Sequence, residues 1–145
     1  MRILVIFIEK SNYLCIIVKI LINIILMKYK IDTSEYWIYE LLDIEWIDFT
    51  WVYSIVNEEK YISVILKVID IKDRSKIITS DEWYNLISAE IKYNPNINWI
   101  LSKISTQLSD NWISFYVLTT YNYWHFFINS NQIDLADKVF NNLEI

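Results

Sequence analysis

A chain of 145 residues without a single glycine is barred from many of the turns on which catalytic loops are built. Glycine is the usual residue where the backbone takes φ > 0 or must approach a ligand closely. Here Asn and Asp have to serve at every such turn. The glycine-rich phosphate loop, the dinucleotide-binding turn and the nucleophile elbow of serine hydrolases are therefore all absent. One Cys excludes an internal disulfide and a Cys-based zinc site, and one His excludes a His-rich metal site. No cofactor and no metal is expected. Scarce Gly, Ala and Arg beside abundant Ile, Asn, Lys and Tyr is the composition an AT-rich coding sequence yields.

The length is a prior for one domain, and 54% hydrophobic with 17% aromatic residues exclude a disordered chain. The formal charge of −5 is unevenly spread. Residues 31–59 carry eight acids, Asp32, Glu35, Glu40, Asp43, Glu45, Asp48, Glu58 and Glu59, and no Lys or Arg. Residues 60–76 reverse this with Lys60, Lys67, Lys72, Arg74 and Lys76 against Asp70 and Asp73. An acidic body argues against direct nucleic-acid binding by charge neutralisation and favours a partner with a basic surface.

Residues 1–27 stand apart from the globular domain expected over 28–145. Two apolar runs, Ile3–Ile8 and Tyr13–Met27, flank Glu9-Lys10-Ser11-Asn12. The second holds Lys19 and Asn23 and is shorter than the roughly 20 residues of a membrane span. Nor does it carry the small-residue cleavage pattern of a secretion signal. Three readings stay open for this segment: a non-native extension ahead of a start at Met27, an element packed on the domain, and a marginal anchor. The first two leave the protein cytoplasmic and the third tethers it to a membrane. Cys15 falls within the segment and reads as packing or as part of a non-native extension.

The body is organised around a long β-hairpin over about 45–72. Ile47, Phe49, Trp51, Tyr53 and Ile55 alternate with Asp48, Thr50, Val52 and Ser54, and the second arm repeats the pattern after Asn57-Glu58-Glu59-Lys60. A loop centred on Glu58-Glu59 sets Trp51 against Leu66 and Phe49 against Val68. Helices are expected at about 33–43, started by Thr33 or Ser34, and at about 81–93, where Thr79 and Glu82 have capping-box spacing. Two more are expected at 97–108 and 132–143. Trp112–Thr120, apolar on both faces, reads as a central strand, and Trp124–Ile128 pairs back on it. The order αβββααββα defines an α+β class: a mostly antiparallel sheet with helices packed on it.

Glu40 on the first expected helix, Asp48 on one arm and Asp70-Ile71-Lys72 on the other form a pattern that resembles the PD-(D/E)xK nucleases. The resemblance implies a carboxylate-held metal on one face of the hairpin. The register opposes it, since aligning the apolar residues puts Asp48 and Asp70 on opposite faces of the sheet. His125, within Tyr123-Trp124-His125-Phe126-Phe127, reads as a half-buried histidine satisfied by a neighbour. No catalytic residue is assigned.

The polar feature with most information is the acidic run. Glu35, Tyr36, Tyr39, Glu40, Asp43, Glu45 and Asp48 are the interaction candidates, acids with interleaved aromatics of the kind that suits a protein interface. The expected function is a non-enzymatic, protein-binding module of inhibitor, immunity or phage-accessory type. The alternatives are a membrane-tethered small domain and a carboxylate-only metal-dependent nuclease. Intact-mass measurement of the natively expressed protein separates the readings of 1–27: a product beginning at Met27 removes the anchor, and a membrane-sedimenting product beginning at Met1 supports it.

Overall fold

The computed structural model describes residues 28–45, 47–67, 74–91 and 97–143. Six strands are joined as one antiparallel sheet: β1 (Tyr29–Leu41), β2 (Val52–Asn57), β3 (Ile62–Lys67), β4 (Ile77–Glu90), β5 (Phe115–Thr119) and β6 (Tyr123–Asn129). Their order across the sheet is β2-β3-β1-β4-β6-β5. Two helices, α1 (Ile97–Asp110) and α2 (Ile133–Asn141), complete the described fold. They lie where the 97–108 and 132–143 periodicities place them. The α+β class with a mostly antiparallel sheet holds. Residues 1–27 with Cys15, and Asp70-Ile71-Lys72, lie outside the described residues. Among the described residues no helix is long and apolar enough to cross a membrane.

One face of β4, β6 and β5 is roofed by both helices. Ile87, Ala89, Trp124, Phe126 and Ile128 from the sheet meet Ile104, Leu108, Ala136, Val139 and Phe140 from α1 and α2. Farther along the same face, Trp37, Tyr39 and Leu41 of β1 pack with Val64 and Leu66 of β3 under Ile44 and Ile47. The other face is aromatic: Tyr36, Tyr84, Leu86 and Phe127 are its buried centre, with Ile38, Tyr53, Ile65 and Leu118 around them.

Tyr53 shows that the sheet curls about this second face. It stands on β2, with β3, β1 and β4 between it and β6. In a flat sheet that separation is roughly 19 Å. Yet its ring centroid lies 5.4 Å from Phe127 and 5.5 Å from His125, both on β6. The face is therefore concave, and its two sides touch.

Two of the four expected helices are strands. Segment 33–43 belongs to β1 and segment 81–93 falls largely in β4, and these two elements pair along much of their length. The residues taken as helix starts have other partners here. Asp32 accepts the Ser34 N–H at 2.8 Å and the Tyr36 hydroxyl at 2.9 Å, a local turn that lifts Thr33–Glu35 out of register. Asn85 donates to the carbonyls of Thr33 and Ser34 and so satisfies the displaced backbone. A short polar side chain that bonds to the backbone two residues on serves a helix N-cap and a strand bulge equally well.

The hairpin's first arm is shorter than expected. Its turn closes where the Glu58 N–H meets the Tyr61 carbonyl at 2.9 Å, so the loop centres on Glu59-Lys60. Ile55 then faces Val64 rather than Ile62. Phe49–Trp51 form a 3-10 turn capped by Asp48, so the first arm begins at Val52. Val52 faces Leu66 and Ser54 faces Ile65, which leaves Tyr53 as the extra residue of a bulge. The bulge turns Tyr53 away from the face of Val64 and Leu66 and onto the concave face. A second correction concerns β5, which is an outer strand, while β6 is interior and buried on both faces.

The missing glycine is felt at two tryptophans. Trp83 (φ 72°) sits in the bulge where β4 carries Glu82 and Trp83 opposite Trp37 of β1. Trp112 (φ 58°) ends α1. There its N–H reaches the Ser109 carbonyl at 2.9 Å and that of Ile113 reaches the Leu108 carbonyl at 3.0 Å. These are the paired bonds of a Schellman cap, whose left-handed position is normally glycine. Trp112 is 89% exposed, so little packing is lost when its side chain is removed. Trp112→Gly is expected to stabilise the fold by about 1 kcal/mol in dilute solution by relieving the left-handed strain, read as a raised denaturation midpoint with unchanged slope.

Candidate functional site

Strands β1, β3 and β4 and the outer strand β5 leave an open cleft of about 340 Å³ at one end of the concave face. Register explains which side chains reach it. Glu40 of β1 is opposite Ser63 of β3 and Thr79 of β4, and Ile38 is opposite Asp81. Ser80 and Tyr116 complete the polar wall. The lining residues carry two carboxylates and five hydroxyls, Tyr39 included, and no Lys or Arg.

Asp81 is held from two sides. The Tyr84 hydroxyl donates to its Oδ2 at 2.6 Å and the Tyr116 hydroxyl donates to the same oxygen at 3.0 Å. Oδ1 has no hydrogen bond among the described residues. The two rings stack edge to face at 5.5 Å. Burial, and then the adjoining Asp81 carboxylate, pushes the Tyr84 phenol well above its ordinary range; Tyr116 moves the same way for the same reasons. Both therefore remain donors at neutral pH. Glu40 is half-buried and makes neither an ion pair nor a hydrogen bond among the described residues.

A second polar group lies deeper, where the curl closes. His125 is buried on β6 opposite Ser88 of β4. Its Nδ1 is 2.8 Å from the Tyr53 hydroxyl and 3.0 Å from Ser88 Oγ, and its Nε2 is 3.1 Å from Thr120 Oγ1. Thr120 Oγ1 already donates to the Tyr123 carbonyl at 3.1 Å. It must therefore accept from Nε2–H, which leaves the single Nδ1 lone pair to accept from one of the two hydroxyls, and Tyr53 and Ser88 also bond to each other. Burial, and secondarily the Lys30 ammonium, lowers the imidazole pKa. On the same face burial alone would raise Asp32. The Ser34 donors, the Tyr36 hydroxyl and Lys67 outweigh it and hold that carboxyl below its usual range.

The seven residues expected to form one acidic, aromatic surface are divided by strand alternation. Tyr36 is buried on the concave face and Tyr39 on the opposite one. Of the seven, Glu40 and Tyr39 border the cleft, and Glu40 is the only carboxylate among them to do so. Asp43 pairs with Lys76 at 2.5 Å, Glu35 and Glu45 are exposed, and Asp48 spends its carboxylate on the Thr50 N–H at 2.9 Å. The nuclease pattern loses its context as well, since Glu40 is on a strand and Asp48 caps a turn. Among the described residues no three His, Cys, Asp or Glu side chains are grouped to hold a metal. Asp81, Tyr84 and Tyr116 were missed because Asp81 reads as part of a helix start, and nothing local links it to a tyrosine 35 residues on.

No protein-family model and no curated protein sequence matches the chain. Solved structures do resemble it in fold. A protein of Agrobacterium tumefaciens superposes with a TM-score of 0.64 at 20% identity, over 81% of this chain and 88% of that one. A Vibrio cholerae protein described as a possible transport protein gives 0.60 at 12% identity, over 79% and 88%. The regulatory subunit of Thermus thermophilus aspartate kinase, solved free of ligand, gives 0.59 at 10% identity, over 83% and 99%. At these identities the likeness is one of fold.

The His125 network makes a pH prediction. Its folded pKa is lowered, so the unfolded chain binds the proton more readily. The stability it supplies is complete above the ordinary imidazole pKa of about 6.5 and is lost as the pH falls from there through the lowered folded value. Denaturation midpoints between pH 7 and 5 are expected to decline in the natural sequence and to stay flat over that interval in His125→Gln. Asp32, whose folded pKa is also lowered, contributes its loss only below about pH 4.

Proposed function

We propose that the chain is a non-catalytic binding module whose concave cleft takes a small molecule bearing an amino group. One observation carries the reading: Glu40 and Asp81 enter one cleft with the hydroxyls of Ser63, Thr79, Ser80 and Tyr116, and no basic side chain shares the lining. A carboxylate with no cation beside it favours a positively charged guest, and hydrogen bonds between charged partners are roughly twice as strong as neutral ones. Tyr84 and Tyr116 hold the Asp81 carboxylate in place before a ligand arrives, which lowers the ordering cost of binding. The hydroxyls supply donors for a second polar group on the guest, as an amino acid would offer. The architectural likeness to a regulatory subunit supports a role in sensing such a molecule, and the cleft's open mouth suits reversible exchange with solvent.

Titration calorimetry and chemical-shift mapping with a panel of amino acids and short polyamines test this. Glu40→Gln and Asp81→Asn are each expected to weaken binding tenfold or more, the equivalent of one charge-assisted hydrogen bond, while Glu35→Gln, off the cleft, leaves it unchanged. Amines that produce no shifts at Ser63, Thr79 or Tyr116, or that bind equally well to both cleft variants, overturn the proposal.

A further inference from the structure

From Asn111 to Ile133 the sequence contains no Asp, Glu, Lys or Arg, although the whole chain carries 18 acids and 13 bases. The middle of that uncharged stretch is β5, an outer strand of the sheet. Sheet edges are normally protected from pairing by charges, proline or bulges. The opposite edge, β2, has such protection in the bulge at Tyr53 and the charged tip Glu58-Glu59-Lys60. β5 pairs with β6 in unbroken register and carries none of these devices. Trp112 before it and Tyr121 after it are 89% and 93% exposed, and Tyr116 and Val117 within it are also exposed.

The strand's hydrogen-bonding groups that have no partner strand among the described residues can be placed. The Thr120 N–H meets the Tyr123 carbonyl at 2.9 Å. Antiparallel alternation then turns the backbone of Tyr116 and Leu118 toward β6, and that of Phe115, Val117 and Thr119 outward. These three outward residues are spaced symmetrically about Val117.

We propose that β5 is a self-association edge at which two copies of this chain pair antiparallel about a two-fold axis through Val117. Val117 then meets the partner's Val117 as a hydrogen-bonded pair, and Phe115 meets the partner's Thr119 in the same way. On the concave face Tyr116, a wall of the cleft, lies against the partner's Leu118, so the second copy borders the cleft's outer end. Continuing the register carries the partner's Tyr121 to the Trp112 end of the strand. The uncharged edge, symmetric in its outward groups about Val117, admits a second copy as the occupant. Two chains of −5 repel at long range, and they can meet with least repulsion where the edge has no charge. Because added salt screens that repulsion, the pair tightens as ionic strength rises, the reverse of an ion-paired interface.

Sedimentation equilibrium of the full chain is expected to give twice the 17.6 kDa mass, with tighter association in high salt. Val117→Lys is expected to raise the dissociation constant at least tenfold while leaving the circular dichroism of the fold unchanged. Should that variant unfold, cross-linking still decides the matter. Hydrogen-bonded antiparallel residues lie about 5.5 Å apart between Cα atoms, within disulfide reach. In a Cys15→Ser background, Val117→Cys should form a covalent dimer on mild oxidation and Ile55→Cys, on the other edge, should not. A chain that stays monomeric at high concentration in high salt overturns the proposal. So does cross-linking through Ile55→Cys alone, or an association that ends when residues 1–27 are removed but ignores Val117→Lys.

Discussion

A tyrosine from one outer strand reaches a histidine four strands away, and the rest of the molecule is arranged by that contact. Tyr53 meets His125 and Phe127 only because the sheet curls, and the curl depends on irregularities at particular residues. The bulge at Tyr53 turns its ring inward, the turn at Asp32–Ser34 shortens the pairing of β1 with β4, and the left-handed Trp83 allows β4 to carry extra residues opposite Trp37. Bulges increase local twist and redirect side chains. Here they convert a broad sheet into a trough lined with phenols and carboxylates.

The two faces of the sheet obey different physics. The helix-covered face is apolar and close-packed, with Phe126 and Ile128 wholly buried. The concave face buries polar atoms and satisfies them in pairs: Tyr36 with Asp32, Tyr84 with Asp81, Tyr53 with His125. A phenol brings apolar area and a hydroxyl on one stiff frame. Tyrosine can therefore fill this interior without stranding a donor. The cleft lies where that packing stops, at the outer end of β5, and the candidate interface and candidate ligand site share Tyr116.

Part of this was legible from local pattern. The stripe Ile100, Leu101, Ile104 and Leu108 marks α1, and Ile133, Ala136, Val139 and Phe140 mark α2. Their inward residues are those the spacing selects. The polar tip after Asn57 marks a hairpin, although its centre lies one residue farther along. Other elements were not legible, because their local chemistry serves two conformations. Asp32-Thr33-Ser34 and Thr79-Ser80-Asp81-Glu82 carry the side chains of a helix start. The choice between cap and bulge rests on Asn85, Tyr84 and Tyr116, which are distant in sequence. Likewise β5 is apolar on both faces without being central, so the expectation of an inner strand failed.

The sequence by itself determined what is written in local periodicity and composition: two amphipathic helices, the presence of a hairpin, an α+β class, and the exclusion of every glycine-built phosphate loop. Only the tertiary structure decided that 33–43 and most of 81–93 are neighbouring strands, that Tyr36 and Tyr39 point to opposite faces, and that Glu40 and Asp81 share a cleft. The physical reason is range. A helix satisfies its backbone within four residues and shows this as a repeat. A strand borrows its hydrogen bonds from a partner, here up to 60 residues away between Tyr29 and Ala89, and leaves its identity to that partner.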